Sequence, residues 1–158
     1  MKALSTRTIG FNHIDLAAAH RMGIRVSHAN YPPNGVADFT VMLMLLTLRN
    51  YKPAMWRQNV NDYSLTGLRG RELRSLTVGV MGTGSIGRTV MQNLSGFGCR
   101  LLAYDKFQDA RAAGCVGTCP GNPLARSDVI TLHMPLTPET DHIIDRKALS
   151  KTERTVWC

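Results

Sequence analysis

The sequence predicts an α/β fold, a doubly wound parallel sheet, and three observations point to it. Leu76-Thr77-Val78-Gly79-Val80-Met81-Gly82-Thr83-Gly84-Ser85-Ile86-Gly87 runs a short apolar strand into G-x-G-x-x-G, and residues 88–97 continue as a helix. Cys99-Arg100-Leu101-Leu102-Ala103-Tyr104 reads as a second strand ending on Asp105. Asp128-Val129-Ile130-Thr131-Leu132-His133-Met134-Pro135 reads as a buried strand closed by a polar, proline-containing loop. Strands alternating with helices are what parallel β/α units require.

Each part of the glycine segment has a mechanical reason. Gly82 permits the tight turn out of the strand, and Gly84 lets backbone approach a pyrophosphate with no Cβ in the way. Gly87 lets the helix pack closely on the strand, while N–H groups at the helix start face phosphate charge. Asp105, 23 residues after Gly82, is placed to accept hydrogen bonds from an adenosine ribose. A carboxylate there repels a 2′-phosphate, so NAD is expected rather than NADP. The glycine motif alone is a weak signal; strand, glycines, helix, strand and terminal acid in register make it a Rossmann dinucleotide site. A doubly wound domain that binds another nucleotide, or none, is the competing reading.

The remaining elements follow in chain order. Asp15-Leu16-Ala17-Ala18-Ala19-His20-Arg21-Met22 reads as a short helix stopped by Gly23, and Ile24-Arg25-Val26-Ser27 as a strand. A helix and strand this small cannot bury their own apolar face, so residues 1–31 are expected to belong to a sheet whose earlier strands lie outside the chain. Tyr31-Pro32-Pro33-Asn34-Gly35 is a turn or hinge. Residues 36–50, ending on Asn50, are helical and apolar on nearly all sides through Val36, Phe39, Val41, Met42, Leu43, Met44, Leu45, Leu46 and Leu48. Such a helix needs covering all round, by core or by a partner subunit. Residues 51–75 read as polar and irregular, with Trp56 and Tyr63 anchoring them to the domain surface. Beyond Asp105, Cys115-Val116-Gly117 reads as a short third strand and Asn122-Pro123-Leu124-Ala125-Arg126 as one helical turn.

Composition narrows the class. A chain of 158 residues, 44% of them hydrophobic, suits one globular core. The net charge of +8 comes from scattered basic residues; Arg69, Arg71 and Arg74 form the one local cluster. No basic stripe interleaved with aromatics is present, so nucleic acid is not the expected partner. Cys99, Cys115, Cys119 and Cys158 show no C-x-x-C spacing and read as reduced thiols rather than metal ligands. The amino terminus lacks the apolar core of a signal peptide, and the longest apolar run is too short to span a bilayer. A soluble cytoplasmic protein without membrane partners is expected.

Together these residues resemble the D-2-hydroxyacid dehydrogenase family, in its D-lactate dehydrogenase branch that includes the vancomycin-resistance type. The resemblance runs from Ser5-Thr6-Arg7-Thr8-Ile9-Gly10-Phe11-Asn12-His13-Ile14-Asp15 through Tyr31-Pro32-Pro33 and Val36-Ala37-Asp38-Phe39-Thr40. It continues in the glycine motif, in Tyr104-Asp105, and from Ser127 through His133 to Thr137, covering nearly all of residues 4–150. It implies a partial Rossmann NAD-binding domain, residues 34–158, preceded by a remnant of a flavodoxin-like catalytic domain with its hinge, residues 1–33.

The resemblance also implies roles. Backbone N–H groups around Ile9 and Gly10 would hold a substrate carboxylate, and Tyr31 would line the substrate site; Tyr31 reads equally as packing beside its prolines. Ser85 and Ile86 would contact the pyrophosphate, Asp105 the adenine ribose, His133 and Pro135 the adenosine half, and Thr140 the phosphates. A lone histidine at a strand end invites a catalytic-base reading, but the resemblance makes His133 part of the cofactor wall. The family's catalytic arginine, glutamate and histidine match no residue here, so the chain reads as an internal fragment with no catalytic residue. The activity implied is NAD-dependent reduction of a 2-oxo acid such as pyruvate to a D-2-hydroxy acid such as D-lactate, in a homodimer packed through residues 36–50. The alternative is a truncated NAD-binding fragment without catalysis, exposing apolar surface and poorly stable alone.

Overall fold

The computed structural model describes residues 1–105, 117–118 and 123–152. The chain divides into two compact units, Met1–Pro32 with Pro135–Asp141, and Pro33–Met134 with His142–Cys158.

The first unit is a small β-α-β element. Strand β1 (Ala3–Thr6) pairs in parallel with β2 (Arg25–His28), and helix α1 (Leu16–Arg21) makes the crossover. Asp15 caps α1 by accepting a hydrogen bond at Oδ1 from the Ala18 N–H at 2.8 Å. The sequence expectation of a helix followed by a strand holds, with the strand displaced by one residue. The expectation that every earlier strand lies outside the chain does not. Ala3–Thr6 is such a strand, but four half-exposed residues give no apolar alternation to reveal it.

The second unit is built on a four-stranded parallel sheet in the order β5-β4-β3-β6. Its strands are β3 (Thr77–Met81), β4 (Arg100–Tyr104), β5 (Gly117–Thr118) and β6 (Val129–Leu132). These match the four expected strands in order; Cys115 and Val116 of the third lie outside the described residues, as do Cys119 and Cys158. The expected helical turn is a 3-10 turn at Pro123–Ala125. Central strand β3 is buried from Val78 to Met81, as a strand covered on both faces should be.

The two faces have separate cores. Val78, Val80, Ala103 and Val129 face helices α2 (Asn34–Leu48) and α4 (Ser85–Ser95). Met81 and Ile130, the alternate residues, face Leu124 of the 3-10 turn and Ala148 of the short helix α5 (Arg146–Leu149). In α4, Gly87, Val90, Met91 and Leu94 are buried at the i, i+3, i+4, i+7 spacing of one helix face. Asp128 ties the entry of β3 to β6: its Oδ1 lies 2.9 Å from Arg71 Nη2, and its Oδ2 accepts the Thr77 N–H at 2.9 Å.

Two expectations for residues 51–75 are corrected, and the covering expected for residues 36–50 is supplied by this chain on one side. Helix α2 is buried along one stripe only, Ala37, Val41, Met44 and Leu48, while Phe39 on the opposite side is 56% exposed. Residues 51–58 are not irregular: α3 (Tyr51–Gln58) forms there with no buried residue. It begins at Asn50 in the left-handed region, so the chain turns out of α2 and resumes helix. Its polar composition concealed it, because a helix without an apolar face has no hydrophobic period. Nor are Trp56 and Tyr63 anchors, since each is 74% exposed. The described residues contain no helix long and apolar enough to cross a membrane.

Candidate functional site

The parallel register decides what meets at the carboxyl end of the sheet. Met81 pairs with Tyr104 on one side and with Leu132 on the other. The next residues are therefore Gly82, Asp105 and His133, which leave three adjacent strands at the same edge. Since β3 is followed by neighbours on opposite sides, this edge is also the topological switch point, where α/β sheets place ligands.

Gly82 occupies φ +94°, and a Cβ on it would lie 2.6 Å from the His133 carbonyl oxygen. The turn thus excludes any side chain both by conformation and by the backbone of β6's exit. A Cβ on Gly87 would collide with the Gly82 carbonyl oxygen, so α4 starts directly against the turn. Gly84 differs: its Cβ position opens on empty space, with nothing within 4 Å. Gly84 is also the residue before α4 and offers no side chain to cap it. The first turn of the helix is closed by the Arg88 N–H on the Gly84 carbonyl at 3.0 Å, so the N–H groups of Ser85, Ile86 and Gly87 precede that bond. The arrangement presents backbone donors and the positive helix end to an open face.

Asp105 lies beside this turn. Its Oδ2 accepts two hydrogen bonds from Thr83, one from the N–H at 2.6 Å and one from Oγ1 at 2.8 Å. Thr83, between the first two glycines of the motif, is a residue that sequence reasoning missed. Its only signal is its position, because nothing in local spacing marks a bond across 22 residues.

His133 is half-buried. Its N–H donates to the Met81 carbonyl at 2.7 Å, extending the ladder by one residue, and its Nε2 lies 2.9 Å from Thr131 Oγ1. Burial pushes the imidazole below its ordinary value, so it is neutral at pH 7. In the unfolded chain the ring takes up a proton near pH 6.5, whereas the folded ring resists it until lower pH. Stability from this group is therefore complete above pH 6.5 and is lost as pH falls toward the folded value. Urea midpoints at pH 7.5 and 5.5 should differ less in His133→Gln than in the parent; an equal difference would refute the assignment.

The other candidate residues fall in the first unit. Ile9 and Gly10 follow β1 in a loop where Thr8 Oγ1 donates to the Gly10 carbonyl at 2.6 Å. Tyr31 precedes the two prolines and is exposed. Thr140 closes the turn after β6: its Oγ1 donates to the Pro135 carbonyl at 2.7 Å and accepts the Thr137 N–H at 2.8 Å. Gly82, Gly84, Ser85, Ile86, Gly87, Asp105 and His133 are thus brought together in one unit, while Ile9, Gly10, Tyr31, Pro135 and Thr140 belong to the other.

Comparison with known proteins agrees with this geometry. Residues 41–158 match the family described as D-isomer specific 2-hydroxyacid dehydrogenase, NAD binding domain. The chain is 43% identical over 154 residues to the D-specific alpha-keto acid dehydrogenase of Enterococcus faecalis, covering 98% of this chain and 47% of that protein. It is 36% identical over 159 residues to the D-lactate dehydrogenase of Escherichia coli, covering 99% of this chain and 48% of that protein. The solved structure of D-lactate dehydrogenase from Aquifex aeolicus, complexed with NAD and lactic acid, superposes with a TM-score of 0.88 at 34% identity, over 97% of this chain and 47% of that one. The chain spans about half the length of the curated relatives it matches. With its glycine turn, switch point and parallel sheet, it belongs to the D-isomer specific 2-hydroxyacid dehydrogenase family, through that family's NAD-binding domain.

Proposed function

We propose that this chain holds the adenosine and pyrophosphate portion of NAD for an enzyme that interconverts a 2-oxo acid such as pyruvate and a D-2-hydroxy acid such as D-lactate. The observation that carries the reading is the register placing Gly82, Asp105 and His133 together at the switch point of the sheet. The residues fit a dinucleotide. The open face beside Gly84 admits a pyrophosphate, the N–H groups of Ser85 and Ile86 donate to it, and the Asp105 carboxylate meets the adenine ribose. His133, neutral and half-buried, forms the wall beside the adenosine, while Pro135 and Thr140 keep the cofactor-binding roles that the resemblance implies.

NAD, when bound, supplies the hydride acceptor or donor; the residues of this chain bind and orient it. Ile9 and Gly10 hold the substrate carboxylate and Tyr31 lines the substrate site. Residues 1–33 then belong to the substrate domain and 34–158 to the cofactor domain. No catalytic acid, base or cation is assigned to a residue of this chain. The exposed side of α2, with Val36, Phe39, Met42 and Leu43, supports a homodimer of the longer enzyme through residues 36–50. The unbridged Cys99 agrees with a reducing cytoplasm.

The test is NADH binding by fluorescence titration. Asp105→Ala should weaken it at least about tenfold, the loss expected when hydrogen bonds to a charged group are removed. Unchanged affinity in that variant, or no NADH binding by the parent chain, would overturn the reading.

A further inference from the structure

We infer that Thr83 is a specificity-positioning residue: its hydroxyl orients the Asp105 carboxylate, and so sets the preference for an unphosphorylated adenosine ribose over a 2′-phosphorylated one. The inference rests on the NAD reading above and adds a residue to it.

The two donors of Thr83 converge on one oxygen, Asp105 Oδ2, at 2.6 Å from N and 2.8 Å from Oγ1. The N–H bond is available to any residue at this position; the hydroxyl bond is available only to threonine or serine. Together they hold Oδ2 from two directions, a tighter restraint on rotation about the Cβ–Cγ axis than the N–H bond supplies without the hydroxyl. Bonds to an ionised acceptor are among the stronger ones in proteins. Thr83 is also suited to hold its own side chain still. It is 5% exposed, and its branched Cβ restricts χ1, so the hydroxyl is oriented before any ligand arrives. Its chain neighbours, Gly82 and Gly84, carry no side chain, and the Thr83 hydroxyl reaches the acid at the end of β4.

The consequence is selective. An immobilised carboxylate presents a fixed acceptor to a ribose diol and a fixed negative charge to a 2′-phosphate. A mobile one does both poorly, since it can turn away from the phosphate and no longer meets the diol in one geometry. Loss of the hydroxyl should therefore weaken binding of the plain ribose and relax rejection of the phosphorylated one. A residue that merely filled space would change both alike.

The experiment measures Kd for ADP-ribose and for its 2′-phosphate by calorimetry, on the full chain and on Thr83→Val and Thr83→Ser, with circular dichroism to confirm folding. Thr83→Val keeps the shape and removes the hydroxyl; it should bind ADP-ribose about tenfold more weakly with no loss for the 2′-phosphate. Thr83→Ser should restore most of the preference. If the valine variant does not fold, Thr83→Ala removes the same hydroxyl without crowding and is read in its place. Equal weakening of both ligands, or no change in either, overturns the role of Thr83 and leaves the NAD reading standing. Failure of the parent chain to bind ADP-ribose overturns that reading, and this inference with it.

Discussion

Gly87→Ala should destabilise the chain by about 3 kcal/mol and abolish NADH binding in whatever remains folded. The added methyl lands on the carbonyl oxygen of Gly82, which is backbone and cannot rotate away. Gly82 has little room to adjust, because it sits at φ +94° with the His133 backbone lying where its Cβ would be. The remaining route is to lift α4 off the sheet, which separates Val90, Met91 and Leu94 from Val78 and Val80. The helix start proposed to hold the phosphates moves with it. Urea denaturation gives the stability and fluorescence titration the affinity. A variant within about 0.5 kcal/mol of the parent, the range of harmless surface changes, would show that α4 does not need this close approach.

Leu94→Ala is the other large effect, an expected loss of about 3 kcal/mol. Leu94 is fully buried at the end of the apolar stripe of α4. It belongs to the core that α4 shares with Val41, Met44 and Leu48 of α2. Truncation removes the transfer energy of the side chain and leaves a cavity between elements already fixed by Gly87 and by the Asn93–Asp38 hydrogen bond at 2.8 Å. Because Leu94 lies about two and a half turns from the amino-terminal end of α4, folded Leu94→Ala should keep the parent's NADH affinity, unlike Gly87→Ala. Leu65→Ala, at an 82% exposed position, is the control expected to leave the urea midpoint unchanged. A shift at Leu65 equal to that at Leu94 would refute the core assignment.

These two variants separate what is local in the chain from what is not. The strand β3, the glycine turn, α4, and β4 ending on Asp105 are legible because their signals are short-range. An apolar run, glycines at fixed offsets and one helix-period stripe all fall within residues 76–105. Strand β6 is legible for the same reason, as a buried run closed by Pro135. Strand β1 was not, because its four residues are half-exposed and become a strand only through pairing with β2, some twenty residues on. Helix α3 was not, because it has no buried face to impose a period. Exposure of Trp56 and Tyr63, and of one side of α2, depends on which neighbours are present, and an aromatic residue or apolar helix carries no record of that.

By itself, then, the sequence determined the class of fold, the order along the chain of the four strands of the larger sheet, and the candidate site residues whose proposed roles rest on backbone freedom and charge: Gly82, Gly84, Gly87 and Asp105. The tertiary structure decided which strands are neighbours and in what register, and therefore that Gly82, Asp105 and His133 leave the sheet side by side. It also decided that Thr83 clasps Asp105. Such a pairing depends on two strands meeting in parallel register after a helical crossover, and the geometry of that meeting is written in packing between distant residues.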